Sequence, residues 1–172
     1  MRISNLVAGA CALALLSGCS RTDVVGGGVA ATTASGETVV ACGPQKGHAY
    51  YPAAGMVREG KDGWTDDQIT GGSTILTQNS NGEFDIQSKD GLGELSARRD
   101  GAQVTVLRKS LNEIAVLVAY PDGAQAAEIY SFVHEVNGKA KMLQLSSKGL
   151  SAGMAIPKAG VYVASCSIFN LS

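Results

Sequence analysis

The chain has 172 residues, with 14 Lys and Arg against 15 Asp and Glu, and a formal net charge of −1. Apolar residues make up 45% of the chain, which excludes a wholly disordered protein and is enough for one domain with its own core. No block of basic residues stands out, so nothing in the sequence indicates a nucleic-acid-binding surface.

The chain begins with an apolar run. Leu6 to Cys19 reads LVAGACALALLSGC and follows a single early basic residue, Arg2. The run is too short to span a bilayer as a mature helix, and it ends in small residues, as a secretory signal peptide does. We therefore predict that residues 1–18 are a cleaved signal peptide.

The last four residues of the run, Leu16-Ser17-Gly18-Cys19, resemble the lipobox of bacterial lipoproteins. The resemblance covers residues 1–19 and implies that Cys19 carries a thioether-linked diacylglycerol, which anchors the protein to a membrane. Ser20 follows Cys19 where inner-membrane lipoproteins of this kind carry Asp. By the same resemblance, the expected location is the outer membrane of the bacterial envelope, facing the periplasm.

Val24 to Gly36 is rich in Gly, Ala and Thr and has neither helical nor strand periodicity. This composition predicts a flexible tether over residues 19–36. Residues 37–172 are predicted to form one domain. That domain resembles small uncharacterised bacterial lipoproteins only faintly, and this resemblance implies no function.

Two of the four cysteines belong to the predicted domain. Cys11 lies in the signal and Cys19 is the expected lipid acceptor, which leaves Cys42 and Cys166. The lipoprotein resemblance places both in an oxidising compartment, where we expect them to form a disulfide. The alternatives, free thiols or a metal-binding pair, lack the neighbouring His and Cys residues that zinc sites use.

Within the domain, the pattern is one of short strands joined by tight turns. The first predicted strand is Glu37–Cys42, and residues 45–72 are irregular, with either a helical turn or an edge strand at 64–69. Asn81-Gly82 and Asn137-Gly138 are hairpin turn signals. Residues 113–120 are apolar nearly throughout, which predicts a central strand covered on both sides. The other predicted strands are 73–78, 83–88, 94–98, 102–109, 127–135, 140–147 and 161–166.

The strands recur about every ten residues, which predicts an all-β fold: a single antiparallel β-sandwich or small β-barrel of about eight strands. If Cys42 and Cys166 are bonded, the first and last strands lie side by side or face each other across the core. Either arrangement would protect the edges of the sheet.

The candidate catalytic residues lack partners in the sequence. Ser151 lies in Gly149–Gly153, which matches G-x-S-x-G, but no helix follows it and both histidines, His48 and His134, precede it. Neither histidine has clustered metal ligands nearby in the sequence. We therefore predict no catalytic residue, no metal and no cofactor.

Two other groups of residues suggest binding. Arg98, Arg99, Arg108 and Lys109 form either a basic patch for an acidic partner or a solvated sheet face. The aromatic residues of the irregular segment either plug the core or bind a partner, and they are the best candidate for a binding site. They are Tyr50, Tyr51 and Trp64.

The function predicted from the sequence is that of a lipid-anchored, non-catalytic binding or structural protein of the envelope, with an envelope protein as its partner. Its oligomeric state is left open. One alternative is a carrier of a small apolar ligand in a β-barrel cavity, which requires an enclosed apolar cavity. Another is an inhibitor of an enzyme that attacks the envelope. An enzyme, by contrast, would need a histidine within hydrogen-bond reach of Ser, Asp or another nucleophile.

Overall fold

The computed structural model describes residues 36–54, 57–90, 93–122, 126–149 and 156–171. The predicted signal peptide, the lipid acceptor Cys19, residues 19–35 of the tether and Ser151 lie outside the described residues. No helix occurs among the described residues, and so none there is long and apolar enough to cross a membrane.

The described residues form an antiparallel sheet of eleven strands, and the prediction of an all-β domain is confirmed. The main path of the sheet runs β6-β5-β4-β1-β11-β10-β9-β8-β7, and β2 and β3 branch from β11. The strands are β1 (Glu37–Cys42), β2 (Gln45–Tyr51), β3 (Gly63–Ile69), β4 (Ser73–Gln78), β5 (Phe84–Asp90), β6 (Gly93–Ser96), β7 (Gln103–Lys109), β8 (Glu113–Tyr120), β9 (Ala126–His134), β10 (Ala140–Lys148) and β11 (Lys158–Phe169).

The strand count exceeds the predicted eight chiefly because β2 and β3 fall in the segment that the sequence left irregular. β1 and β2 run along the same side of β11, one after the other, and Pro44 lies at the break between them. Residues facing the interior from β2 include Gln45 and Gly47, so the strand lacks the apolar alternation by which strands are predicted. The 64–69 segment is an edge strand, not a helical turn.

The predicted disulfide would bring the first and last strands of the domain together, and the structure has them together. Cys42 on β1 lies directly opposite Cys166 on β11, and their Sγ atoms are 2.03 Å apart. The first and last strands therefore lie side by side, which was one of the two predicted arrangements.

The sheet curls into a half-barrel, and Arg98 connects its two ends. This arginine follows β6, and its Nε donates to the carbonyl of Phe84 on β5 at 2.7 Å. Its Nη2 donates to the carbonyl of Val104 on β7 at 3.0 Å. Lys109 of β7 also lies 5.7 Å from the centre of the Phe84 ring. One guanidinium thus supplies hydrogen bonds across the gap between the two ends of the strand order.

Replacing Arg98 by Met is expected to lower the free energy of unfolding by about 2 kcal/mol, because two charge-assisted hydrogen bonds across the gap are lost. Arg99→Met is the matched control, since the Arg99 guanidinium donates to the carbonyl of Glu94 within the adjoining hairpin. Urea unfolding of both variants is the measurement. Equal destabilisation by the two substitutions would contradict a bridging role for Arg98.

The apolar core fills one end of the curled sheet. Its fully buried side chains include Leu76 of β4, Ile114 of β8, Phe132 of β9 and Met142 of β10. The prediction that β8 is a central strand covered on both faces is wrong. β8 is next to the edge strand β7, and its outward-facing Leu117 is only half-buried, because no second layer covers that face among the described residues.

Candidate functional site: a polar chamber

The interior of the half-barrel changes from apolar to polar along its strands. Alternate residues of a strand point to the same face. On β9 that face carries Phe132 in the core, then Tyr130 and Glu128. On β10 it carries Met142 in the core, then Gln144. The two strands are antiparallel, so their polar residues meet at the same end of the sheet.

At this end the strands line a partly open cavity of about 390 Å³, called the end chamber below. It lies among the ends of β4, β5, β8, β9, β10 and β11 and the start of β2. Buried polar side chains form much of its wall, where a core would carry Leu or Val. Those used in the argument below are Gln45, Thr74, Glu128, Tyr130, Gln144 and Ser146.

Glu128 and Tyr130 form a buried hydrogen-bonded pair in the chamber. The Tyr130 hydroxyl donates to Glu128 Oε2 at 2.7 Å and accepts from Gln144 Nε2 at 3.0 Å. Lys148 Nζ lies 3.6 Å from the other carboxylate oxygen, Oε1. Burial, and then the charge of Glu128, raise the pKa of Tyr130 well above its usual range. The Tyr130 hydroxyl therefore stays protonated at neutral pH and donates its hydrogen bond to the Glu128 carboxylate.

Two glutamines of the chamber each leave a polar atom without a partner. Gln45 Nε2 donates to Thr74 Oγ1 at 2.8 Å, while Gln45 Oε1 and Gln144 Oε1 have no hydrogen-bond partner. Both residues are only 6% exposed. Exchanging the oxygen and nitrogen of either amide would leave the other atom unpaired. A buried unpaired polar atom costs about 1–3 kcal/mol, and these two oxygens lie beneath the surface of the cavity, where a ligand does not reach them.

A second cluster fixes the rim of the chamber. Asp67 of β3 accepts three hydrogen bonds at Oδ2: from Lys158 Nζ at 2.8 Å, from the Tyr162 hydroxyl at 2.8 Å and from the Tyr51 hydroxyl at 3.2 Å. Lys158 and Tyr162 belong to β11 and also line the chamber. The carboxylate therefore joins β2, β3 and β11 where their side chains form the chamber wall.

The hydrogen bonds of this cluster set its ionisation. Burial alone would raise the pKa of Asp67, but the hydrogen bonds from Lys158 and Tyr162 outweigh it and hold that pKa below its usual value. Burial alone would lower the pKa of Lys158, and the bonds to Asp67 and Tyr162 raise it instead. Both groups are thus charged at neutral pH.

Asp67→Asn is expected to lower the free energy of unfolding at neutral pH by about 2 kcal/mol, because it leaves the Lys158 ammonium without its counter-charge. The pKa of Asp67 in the folded state lies below 3.8, its ordinary value. Its contribution is therefore present above that pH and is lost as the pH falls through the folded-state pKa. The stability difference between the wild type and the variant should shrink towards zero in acid.

The measurement is urea unfolding of both proteins across a pH series. The adjacent Asp66→Asn is the control, since Asp66 is on the opposite, exposed face of β3. A difference for Asp67→Asn that persists unchanged in acid would contradict the ionic explanation.

The structure separates the three aromatic residues of the predicted binding site. Tyr50 and Trp64 lie opposite each other on the outer face of the β2–β3 hairpin, in edge-to-face contact with ring centres 5.6 Å apart. They are 43% and 69% exposed, so neither plugs the core. Tyr51 is half-buried, and its hydroxyl bonds to Asp67.

The two histidines lie away from the chamber. His48 Nδ1 is 2.9 Å from Asp66 Oδ1, a distance expected of a catalytic pair, but the two side chains are 70% and 94% exposed. Exposed cross-strand ion pairs have the same geometry. His134 packs beside Phe169, with ring centres 5.5 Å apart. Across the described ranges, no three His, Cys, Asp or Glu side chains group as metal ligands would.

The four cations predicted to form either a basic patch or a solvated sheet face have separate contacts. Arg98 bonds to backbone carbonyls, and Arg99 to the carbonyl of Glu94. Arg108 pairs with Glu113 on the neighbouring strand. These contacts favour the interpretation of the four cations as parts of a sheet face over that of an anion-binding patch.

A comparison of the chain with protein-family models, with curated proteins and with solved structures gives no match. The chamber is therefore interpreted from its own chemistry. Sequence reasoning missed its residues because the opposite faces of these strands are also apolar: Ile129 follows Glu128 on β9, and Leu143 and Leu145 flank Gln144 on β10.

Proposed function

We propose that this protein is a non-catalytic binding domain of the bacterial envelope and that the end chamber takes a small polar ligand. The observation that carries the proposal is a cavity of about 390 Å³ whose wall includes polar and charged side chains at interior strand positions, among them Glu128 and Gln144. The charged side chains in the wall, Glu128, Lys148 and Lys158, disfavour the carrier of an apolar ligand, because such a ligand would displace the water that solvates them. In this proposal the curled sheet acts as a small β-barrel with its ligand at one end.

The proposal includes a lipid anchor at Cys19 on the periplasmic face of the outer membrane. It is supported by the lipobox resemblance of residues 16–19 and by the oxidising compartment that the Cys42–Cys166 bond requires. The tether of residues 19–36 would end where β1 begins, at Glu37. The chamber would then meet small molecules of the periplasm.

A chamber-filling substitution tests the proposal. Ser146 lines the chamber and is buried, whereas the next residue, Ser147, points to the outer face. The wild-type protein, Ser146→Phe and Ser147→Phe are equilibrated with a small-molecule extract of the envelope, and the retained compounds are identified by mass spectrometry. We expect the wild type and Ser147→Phe to retain the same polar compound and Ser146→Phe to lose it.

Circular dichroism and the melting temperature establish that each variant is folded. Equal retention by Ser146→Phe would exclude the chamber as the site. If the wild type enriches no compound, the proposal of a small-molecule function is wrong.

A second candidate function is the binding of an envelope protein through Tyr50 and Trp64. It is favoured by their contact on an exposed face, because aromatic side chains dominate many protein interfaces. An enzyme that attacks the envelope would be one such partner. Trp64→Ala should then abolish capture of a defined partner that Ser146→Phe still captures, whereas the chamber proposal predicts the reverse for the small ligand.

A further inference from the structure

We infer that the end of the half-barrel opposite the chamber lies on the surface of a lipid bilayer, with the side chains of Leu111 and Val136 among its acyl chains. This tip end comprises residues 110–112 and 135–139, in two turns of the sheet, and Glu37 at the start of β1. The inference rests on the lipid anchor of the proposed function and adds the orientation in which the anchored domain is held.

The two most exposed large apolar side chains of the described residues both lie at the tip end. Leu111 is 81% exposed in the turn between β7 and β8, and Val136 is fully exposed in the turn between β9 and β10. Turns favour Gly, Asn, Asp and Ser, and neither side chain belongs to the core. Single exposed apolar residues are common on proteins, but these two occupy neighbouring turns.

Hydrogen bonds hold the two turns in place and join them. The backbone N–H of Ser110 donates to the carbonyl of Glu113 at 2.7 Å in the first turn, and that of Gly138 donates to the carbonyl of Glu135 at 3.0 Å in the second. Between the turns, the backbone N–H of His134 donates to the carbonyl of Asn112 at 2.8 Å. The apolar side chains thus project from an ordered backbone, so little entropy is lost in ordering these turns when they insert.

The chain enters the domain at the same end. From Glu37, β1 passes Val40 in the core, and β2 then begins at Gln45 in the chamber wall, so Glu37 lies at the end away from the chamber. The proposed tether, residues 19–36, has 18 residues. A flexible chain of that length has a root-mean-square span of about 23 Å. A lipid on Cys19 would therefore keep the tip end, rather than the chamber end, close to the bilayer.

The chemistry of the tip end fits lipid better than protein. A protein interface of standard size buries about 800 Å² on each partner around an apolar centre, which two separate side chains do not provide. Their neighbours in the turns are polar: Ser110, Asn112, Asn137 and Gly138. Lys109 and Lys139 adjoin the turns and can reach lipid phosphates, whereas Glu113 and Glu135 balance their charge. The contact is therefore expected to be mainly apolar.

The test uses tryptophan as a probe of position, because the chain has only one, Trp64. The row of paired residues that contains Trp64 crosses β8 at Ala119, six residues from Glu113 and thus about 20 Å from the tip end. Leu111→Trp and Val136→Trp are each made together with Trp64→Phe. Their matched control is Asp122→Trp in the same background, an exposed turn position at the chamber end.

The full-length lipidated protein is reconstituted into vesicles of phosphatidylethanolamine and phosphatidylglycerol, with and without bromine on the acyl chains. Bromine quenches tryptophan on contact. We expect Leu111→Trp and Val136→Trp to lose fluorescence in brominated vesicles and to emit at shorter wavelength. Trp64 of the wild type and Asp122→Trp should keep their fluorescence. Melting temperatures establish that each variant is folded.

A further substitution shows whether the native side chains insert, because tryptophan itself favours the bilayer interface. In the Val136→Trp protein, Leu111→Ser should weaken the quenching, since one of the two inserted side chains is lost. Leu145→Ser is the control, because it replaces a half-exposed leucine on the outer face of β10. Equal quenching in both variants would contradict a role for Leu111.

The outcomes separate this inference from the proposed function. Flotation with the vesicles measures the lipid anchor, and retention of an envelope compound measures the chamber. A protein that floats while neither introduced tryptophan is quenched, or while Asp122→Trp is quenched as strongly, overturns the inference and leaves the anchor intact. The tip residues would then be candidates for contact with a protein. If the protein does not float, the anchor and the inference are both wrong, whatever the chamber retains.

Discussion

Replacing Cys42 and Cys166 together by alanine is expected to lower the free energy of unfolding by about 4 kcal/mol, the largest effect that we predict for this domain. The two cysteines are 124 residues apart in sequence, so their bond closes a loop that contains most of the described chain. A loop of that length restricts the unfolded chain strongly. The bond also lies where β1 meets β11, near the middle of the sheet.

Reductant provides the control. Dithiothreitol should lower the urea midpoint of the wild type to that of the double variant and should leave the double variant unchanged. Loss of the Cys42–Cys166 bond would then account for the whole difference in urea midpoint between the two proteins. A wild type that keeps its midpoint in reductant, with both thiols shown to be free by alkylation, would contradict the prediction.

Gly47→Ala is expected to cost about 3 kcal/mol, near the upper end of the usual cost of overpacking. A Cβ atom at Gly47 would lie 1.8 Å from the carbonyl oxygen of Val161 and 2.8 Å from the Cα of Tyr162. Both contacts are with the backbone of β11, so no side-chain rotation relieves them. β2 would have to move away from β11 and would take Gln45 out of the chamber wall.

Gly43→Ala is the matched control, because a Cβ atom there would lie 3.9 Å from the nearest atom, the carbonyl oxygen of Ser165. Urea unfolding should show a large loss for Gly47→Ala and a small one for Gly43→Ala. Hydrogen exchange should locate the change in the amides of β2 and β3. Equal losses of stability in the two variants would contradict the prediction. They would mean that the backbone of β11 can shift away from the added Cβ atom, although β11 is paired on both sides.

The sequence predicts those strands in which apolar residues occupy the buried positions. The bounds of β1, β4 and β8 are as predicted, because valine, isoleucine and leucine mark them and turn residues end them. β2 was missed, and β3 was one of two alternatives for residues 64–69, because interior positions such as Gln45, Gly47 and Asp67 are not apolar. The Cys42–Cys166 pair was predictable because only two cysteines remained once the signal run was set aside.

The chamber was missed for a related reason. A polar residue in a strand is usually interpreted as facing solvent, and nothing local shows that Glu128 or Gln144 faces the interior. The cluster at Asp67 depends on residues far along the chain, since Lys158 and Tyr162 follow it by 91 and 95 residues. Only the sheet topology brings such groups together.

The central position of β11 has a consequence for how the chain acquires its structure. It is the last described strand, yet it pairs with β1 and β2 on one side and with β10 on the other. Until it is present, the β1–β6 and β7–β10 segments have no common sheet, and β1 and β10 are open edges to which other chains can add. Folding that depends on such distant pairings is slow compared with that of helical domains. The hairpins within each segment can form first, and their union into one sheet through β11 is expected to be the late, slow step of folding.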